Sequence, residues 1–329
     1  MNRIWDFSAF RNRTALKDER GAAVRYDELE ELQDRLSGEI ASGELILMMC
    51  RNSVGALSGY AALLNSGHPM LLVSAAIPED MRGQIMDTYR PGLVFSPRSP
   101  GRDFSRLREI RTIGDYVLYR TDYPEPYPVY PELGLMLTTS GSTGSVKFVR
   151  QSWENIRFNA RSIMDYLALT GEDRTVTALP MDYTYGLSIL NANLLAGALM
   201  LVTDRSVMDV EFWDLFENER VSSFHGVPGT YAMLRRLELF CEDFPELRLM
   251  TQAGGKLDPE LQRFFAEYAR DHQKRFVIMY GQCEATAAIS YLPAEKALEK
   301  PGSAGIVIPG GEIELMDAEG NSTHARLLH

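Results

Sequence analysis

The sequence predicts an α/β protein: two doubly wound lobes with mostly parallel sheets, followed by the start of a small β subdomain. Three observations predict it. Short apolar runs recur along the chain and are near-continuously apolar, as strands buried on both faces of a parallel sheet are. Amphipathic segments with three- and four-residue spacing lie between them, giving the strand–helix–strand repeat of doubly wound folds. After residue 292 the pattern changes to short segments, SAGIVIP and GEIELMD, bounded by glycine and proline.

In chain order, YDELEELQDRLSGEI (26–40) places Leu29, Leu32, Leu36 and Ile40 on one helical face. LILMMC (45–50), MLLVS (70–74) and LVFS (93–96) read as strands of the first lobe. Between 96 and 133, SPRSPGRDFSR and YRTDYPEPYPVYPEL are rich in proline and turn formers and read as a surface connection. The lobes are therefore divided there: 1–130, then 131–292, with 293–329 as a partial β subdomain and tail. LGLMLTT (133–139) opens the second lobe as a strand, and the helix that follows has Ser152 as its N-cap. TVTALP (175–180) is the next strand. The apolar stretch 185–202 approaches the length of a membrane span, but Asn191, Asn193 and Gly197 interrupt it. It reads as a buried helix, a glycine stop and a buried strand, ALMLVT (198–203). VSSFHG (221–226), LRLMTQ (247–252) and RFVIMY (275–280) are further strands. Asp258 caps a helix with Pro259 at its first position.

Composition excludes several function classes. The net charge of -11, with lysines and arginines scattered, gives a phosphate backbone nothing to bind. Nucleic acid is not an expected partner. Cys50, Cys241 and Cys283 lie far apart without a CxxC pair, which argues against disulfides and zinc and for a reducing compartment. The N-terminal stretch has no apolar core before a small-residue cleavage site. The expected location is the cytoplasm.

Ligands of open α/β sheets bind beyond the carboxyl ends of the strands. TTSGSTGSVK (138–147) stands there, after LGLMLTT. Gly141 and Gly144 let the backbone approach a ligand, exposed N–H groups form an anion-binding concavity, and Thr138, Thr139, Ser140, Ser142, Thr143 and Ser145 add hydroxyl donors. Lys147 adds a point charge. The ensemble suits a polyphosphate. It is not a Walker A loop, because Val146 precedes the lysine and Phe148 follows it. Two other strand ends carry polar loops. MYGQCEAT (279–286) offers the Tyr280 ring to a base, the Gln282 amide, and the Glu284 carboxylate to a Mg²⁺ carried by a nucleotide. In TQAGGKLD (251–258), Gly254 and Gly255 permit close backbone approach.

The order TSGSTGxxK, a Pro-aromatic-Gly segment, a GG turn and YGQxE resembles the adenylate-forming superfamily of acyl-CoA synthetases, acyl-AMP ligases and adenylation domains, from about 26 to about 317. The resemblance implies ATP-dependent activation of a carboxylic acid as an acyl adenylate, with transfer to coenzyme A or to the phosphopantetheine of a carrier protein. It implies that Thr139, Ser140, Gly141, Ser142, Thr143, Gly144 and Lys147 hold the β- and γ-phosphates. Tyr280 would stack on adenine with Gly254 and Gly255 lining the same pocket, Gln282 would belong to the same nucleotide site, Cys283 would stand where a hydroxyl bonds an α-phosphate oxygen, and Glu284 would hold Mg²⁺. PMDYTYGLS (180–188) matches the Pro-x-aromatic-His-x-aromatic-Gly segment and makes Tyr183, Tyr185 and Gly186 candidates for the acyl-pocket wall, with His225 and Gly226 nearby. No aspartate aligns with the amine anchor of amino-acid-activating members, so a non-amino acid is expected.

Three departures bear on the reading. Val146 replaces the usual proline before the lysine, Cys283 replaces the usual threonine before the glutamate, and the Thr-Gly-Asp segment and C-terminal lysine domain do not occur. The chain thus reads as the large domain alone, slow in turnover by itself. The alternative is a non-catalytic nucleotide- or acyl-binding module derived from such a ligase.

Overall fold

The computed structural model of the chain describes residues 3–98, 107–124, 128–138, 147–240, 243–317, 319 and 322. It opens with β1 (Thr14–Asp18), β2 (Ala23–Arg25) and α1 (Tyr26–Glu39). Strand–helix repeats follow: β3 (Ile46–Cys50), α2 (Val54–Asn65), β4 (Met70–Ser74), α3 (Glu79–Tyr89) and β5 (Leu93–Pro97). A hairpin, β6 (Arg108–Ile113) and β7 (Tyr116–Arg120), precedes β8 (Leu133–Thr138), β9 (Phe148–Ser152) and α4 (Trp153–Leu167). Next come β10 (Arg174–Val176), α5 (Thr184–Ala196), β11 (Leu199–Val202), α6 (Val210–Asn218), β12 (Ser223–Gly226) and α7 (Pro228–Arg236). β13 (Leu249–Gln252), α8 (Pro259–Asp271), β14 (Arg275–Gln282), β15 (Ala287–Leu292) and β16 (Ile306–Val307) complete the order.

Two mixed sheets result, with strand orders β6-β7-β5-β3-β4-β8-β9 and β16-β15-β14-β13-β12-β10-β11-β1-β2. Their centres are parallel: Ile46 of β3 pairs with Met70 on one side and Leu93 on the other. In the larger sheet Phe224 pairs with Met250, and Met250 with Phe276. Antiparallel strands occupy the edges.

The uninterrupted apolar runs follow from burial on both faces. Ile46, Met48 and Cys50 face a core shared with α1, α2 and α5, whereas Leu47 and Met49 face the opposite side, toward Ile85 of α3. In the larger sheet Phe224, Met250 and Phe276 face α6, α7 and α8, with Phe212, Tyr231 and Phe265 opposite them. α2 is buried at all its residues because it lies in the shared core between the sheets, which is where a helix apolar all round belongs. Leu57, Tyr60 and Leu64 of α2 join Leu187, Leu190 and Leu194 of α5 in that core. Each fully buried leucine contributes on the order of 2 kcal/mol. Asn191, inside the apolar stretch, accepts 2.9 Å from the Tyr60 hydroxyl at its side chain and 3.0 Å from the Trp5 indole at its carbonyl. It ties α5 to α2 and to the N-terminal segment. α5 ends at Gly197 as expected, and no helix among the described residues is long and apolar enough to cross a membrane.

The caps read from sequence are present: Ser152 Oγ accepts from the Asn155 amide, and Asp258 accepts from those of Glu260 and Leu261. Two expectations need correction. The region 96–133 is not solely a surface connection, since β6 and β7 form a hairpin that completes the edge of the smaller sheet. The turn residues Gly114 and Asp115 are the sequence signal for it. Sheet membership also crosses the expected boundary at 130/131: β8 pairs with β4 in the first sheet, and β1 pairs with β11 in the second. Proline-rich text marks a connection but does not say which sheet edge the next strand will cover.

Candidate nucleotide and acyl site

A cleft of about 560 Å³ opens where strand carboxyl ends of both sheets converge. Ser74 ends β4 and Thr138 ends β8, and both line it. From the larger sheet, Gly254 lies just after β13, and β14 contributes its last residues together with Cys283 and Glu284. The segment leading into α5 supplies Pro180, Asp182 and Tyr183, and the first turn of α5 supplies Tyr185. Parallel strands aim their carboxyl ends one way, so residues far apart in sequence meet here.

The end of β14 is shaped by an irregularity. Its pairing with β15 shifts register between Tyr280 and Gly281, so the strand kinks as it reaches the cleft. Only glycine fits at 281, because a Cβ there would land on the carbonyl oxygen of Ala287. Just before the kink Tyr280 is left 51% exposed on the cleft wall, a flat face open to a ligand. Gln282 and Glu284 are exposed beside it. Ala287, also lining the cleft, has φ 93, which non-glycine residues rarely adopt. Strain of this kind clusters at ligand sites. Gly254 has φ 81 and packs so closely under Tyr183 that a Cβ would strike the phenol oxygen.

Tyr185 is held as a rigid wall. Its hydroxyl lies 2.6 Å from Thr251 Oγ1, and His225 Nδ1 lies 2.6 Å from the same oxygen. Tyr231 donates to the Thr251 carbonyl at 2.8 Å. Burial pushes the His225 imidazole down to about 3, with Arg248 adding to the shift and Asp173 opposing it, so the ring is neutral near pH 7. His225 and Gly186 line a separate internal pocket of about 20 Å³ rather than the cleft. Gly226 packs against Tyr231 and Thr230, and Gly255 against Pro228, also away from the cleft lining. Lys147 stands exposed at the start of β9. Thr139, Ser140, Gly141, Ser142, Thr143 and Gly144 lie outside the described residues, as does Cys241; the cleft reaches the near end of that loop at Thr138.

Of the sequence candidates, Tyr183, Tyr185, Gly254, Tyr280, Gln282, Cys283 and Glu284 thus come together on one cleft. Burial pushes the Cys283 thiol above its ordinary range, partly offset by a hydrogen bond from Thr184, so it stays protonated and unreactive. Glu284 makes no salt bridge among the described residues, and an exposed carboxylate suits Mg²⁺, which takes one or two protein oxygens and completes its shell with phosphates and water. No cluster of three or more His, Cys, Asp or Glu side chains that could hold a metal alone occurs among the described residues. Ser74 and Asp182 are among the lining residues not picked out from sequence. Ser74 could have been found by applying the strand-end rule to MLLVS. Asp182 could not, because its significance depends on what surrounds it.

A crevice shared by the carboxyl ends of two open sheets defines a ligand-binding α/β protein. The chain belongs to the AMP-binding enzyme family, whose model matches residues 5–326. It is 26% identical over 318 residues to the 2-succinylbenzoate–CoA ligase of Bacillus pumilus, covering 88% of this chain and 59% of that protein. The chain therefore spans less than two thirds of the length of such relatives. In structure it is similar to VinN, with TM-score 0.78 and 23% identity over 96% of this chain and 82% of that one. It is also similar to o-succinylbenzoate CoA synthetase from Bacillus subtilis in complex with the acyl-adenylate intermediate OSB-AMP, with TM-score 0.75 and 21% identity over 94% and 64% of the two chains. At such identities these likenesses concern the fold.

Proposed function

We propose that this chain is the nucleotide- and acyl-binding part of an enzyme that activates a carboxylic acid with ATP and passes the acyl group to a thiol. The observation that carries the reading is the convergence of Thr138, Gly254 and the 280–284 segment on one cleft with Tyr183 and Tyr185 at the start of α5. In the reaction a substrate carboxylate oxygen attacks the α-phosphorus of ATP, pyrophosphate leaves, and an acyl adenylate forms. A thiol of coenzyme A or of a carrier protein then attacks the acyl carbon, and AMP leaves. No general base is required for the first step, since the carboxylate is ionised at neutral pH.

The side chains divide this work. Tyr280 offers its face to adenine, with Gly254 keeping the opposite backbone low enough to admit the ring. Glu284 holds the Mg²⁺ that screens the phosphates. Gln282 and Cys283 adjoin the α-phosphate, and the 139–144 loop with Lys147 takes the β- and γ-phosphates, where charge accumulates as pyrophosphate departs. Tyr183 and Tyr185 wall the acyl group. ATP and reduced thiols place this chemistry in the cytoplasm. A second reading, nucleotide or acyl binding without efficient turnover, is favoured by one observation: the protonated thiol of Cys283 is a poor donor where a hydroxyl would serve a phosphate better.

Thermal melting with Mg-ATP tests the binding step. At a hundred times its Kd the ligand should stabilise the chain by about 2.7 kcal/mol, a readable rise in Tm. The rise should shrink in Glu284→Gln and grow in Cys283→Thr. No rise in any of the three would contradict the assignment.

A further inference from the structure

We propose that Gln151 is a positioning residue for the nucleotide's metal: it fixes the turn carrying Glu284 against β9, the strand that follows the 138–147 stretch. The inference rests on the reading of the cleft as a Mg-nucleotide site. It adds a residue that does not line the cleft and acts on it from behind.

The turn needs a hold from outside. It is a short 3₁₀ turn, Cys283–Ala285, followed by Thr286 at φ 59 and Ala287 at φ 93. Backbone of this kind persists only where its surroundings over-determine it. Within the turn the Thr286 amide donates to the Cys283 carbonyl at 3.0 Å. Gln151 Nε2 donates to the same carbonyl, also at 3.0 Å. A few residues further on, Asn159 of α4 takes both sides of Ala288: its Nδ2 donates 2.9 Å to the carbonyl, and its Oδ1 accepts 3.3 Å from the amide. Those bonds fall where the β14–β15 register shifts and the ladder is interrupted. β9 and α4 are consecutive, so one strand–helix unit grips the 283–288 segment at both ends.

Gln151 is out of character for its place. It is the buried residue of β9, at 4% exposure, where an apolar side chain would be expected. It shares a small internal pocket with Leu137, Ile156 and Leu187. An amide in such surroundings is costly unless its hydrogen bonds are made, and the bond it makes is to the turn beside Glu284. Gln151 stands four positions after Lys147. Lys147 and Glu284, which serve the same triphosphate and its metal in the proposed reaction, are thereby tied through β9 and one side-chain amide. Mg²⁺ demands near-ideal octahedral geometry, so a displaced carboxylate weakens its binding. The base is less affected, because Tyr280 is held separately by its pairing with Ser290.

Calorimetric titration of Mg-ATP and, separately, of metal-free AMP into the chain tests this, with Gln151→Met as the variant. Methionine keeps the length and suits the apolar surroundings but has no N–H to donate. Mg-ATP should bind about tenfold more weakly, equivalent to about 1.4 kcal/mol, while AMP affinity stays within about twofold of the parent's. Tm without ligand should stay close to the parent's, since the Cys283 carbonyl keeps its Thr286 partner. In a Glu284→Gln background the same change should have little further effect on Mg-ATP, because residues that act through one another are not additive. Gln151→Asn, a methylene too short to reach the carbonyl, should repeat the result. Equal weakening of Mg-ATP and AMP, unchanged Mg-ATP binding, or an undiminished effect on top of Glu284→Gln would overturn the proposal. So would loss of a cooperative melt in both variants, which would make Gln151 a residue of the fold alone. If the parent itself binds no Mg-ATP, the nucleotide-site reading fails, and this inference with it.

Discussion

His225 looked from sequence like a strand-end residue facing the ligand, and its environment gives it a different part. Its Nδ1 shares Thr251 Oγ1 with Tyr185, so the imidazole braces the wall of the cleft from behind. Its folded pKa of about 3 lies below the ordinary 6.5, mainly through burial. The unfolded chain therefore takes up a proton below pH 6.5 that the folded chain refuses until about pH 3. The sign follows: stability is fully present above pH 6.5 and is lost as pH falls, by at most about 1.4 kcal/mol per pH unit from this group. His225→Gln should flatten the dependence of urea-unfolding free energy on pH between 6.5 and 4. An unchanged slope would show that other groups set it. Caps such as Ser152 and Asp258 were legible from sequence because their partners lie within three residues. The His225 bond was not, because Thr251 is brought to it by parallel pairing of β12 with β13.

Among the elements, β14 matters most to the site. Its apolar run predicted a buried strand ending at 280, and the strand continues to Gln282 because β15 pairs with it from the other side. The kink after Tyr280 depends on Gly281, whose missing side chain leaves room for the Ala287 carbonyl. Gly281→Ala must push β15 away or straighten the kink, with a cost of about 1–3 kcal/mol as for other overpacked sites. We expect a lower Tm together with weaker Mg-ATP binding in a calorimetric titration. A variant that melts and binds like the parent would mean that the kink does not position Tyr280. The sequence showed a glycine in YGQ but not this reason for it, since the clash partner comes from the following strand. The β6–β7 hairpin was overlooked for a related reason: its flanks are proline-rich, and that signal masked the Gly114–Asp115 turn between them.

On the scale of the whole molecule, the two sheets are joined rather than merely adjacent. α1, α2 and α5 pack between them in one apolar core, and Asn52 crosses from the loop after β3 to the segment carrying Asp182. Strand exchange across residue 130 adds to this, with β1 in the larger sheet and β8 in the smaller. Alternating strands and helices made the fold class readable; the pairing of distant strands, on which the cleft depends, was fixed by which edges remained to be covered. Because the cleft draws on both sheets, its proposed use as an adenylate site is a statement about the assembled chain. The most direct test is a crystal structure of the chain grown with Mg-ATP. The account predicts the adenine ring against Tyr280 beside Gly254, and Mg²⁺ at the Glu284 carboxylate. Nucleotide bound elsewhere, or a cleft left empty at saturating Mg-ATP, would contradict it.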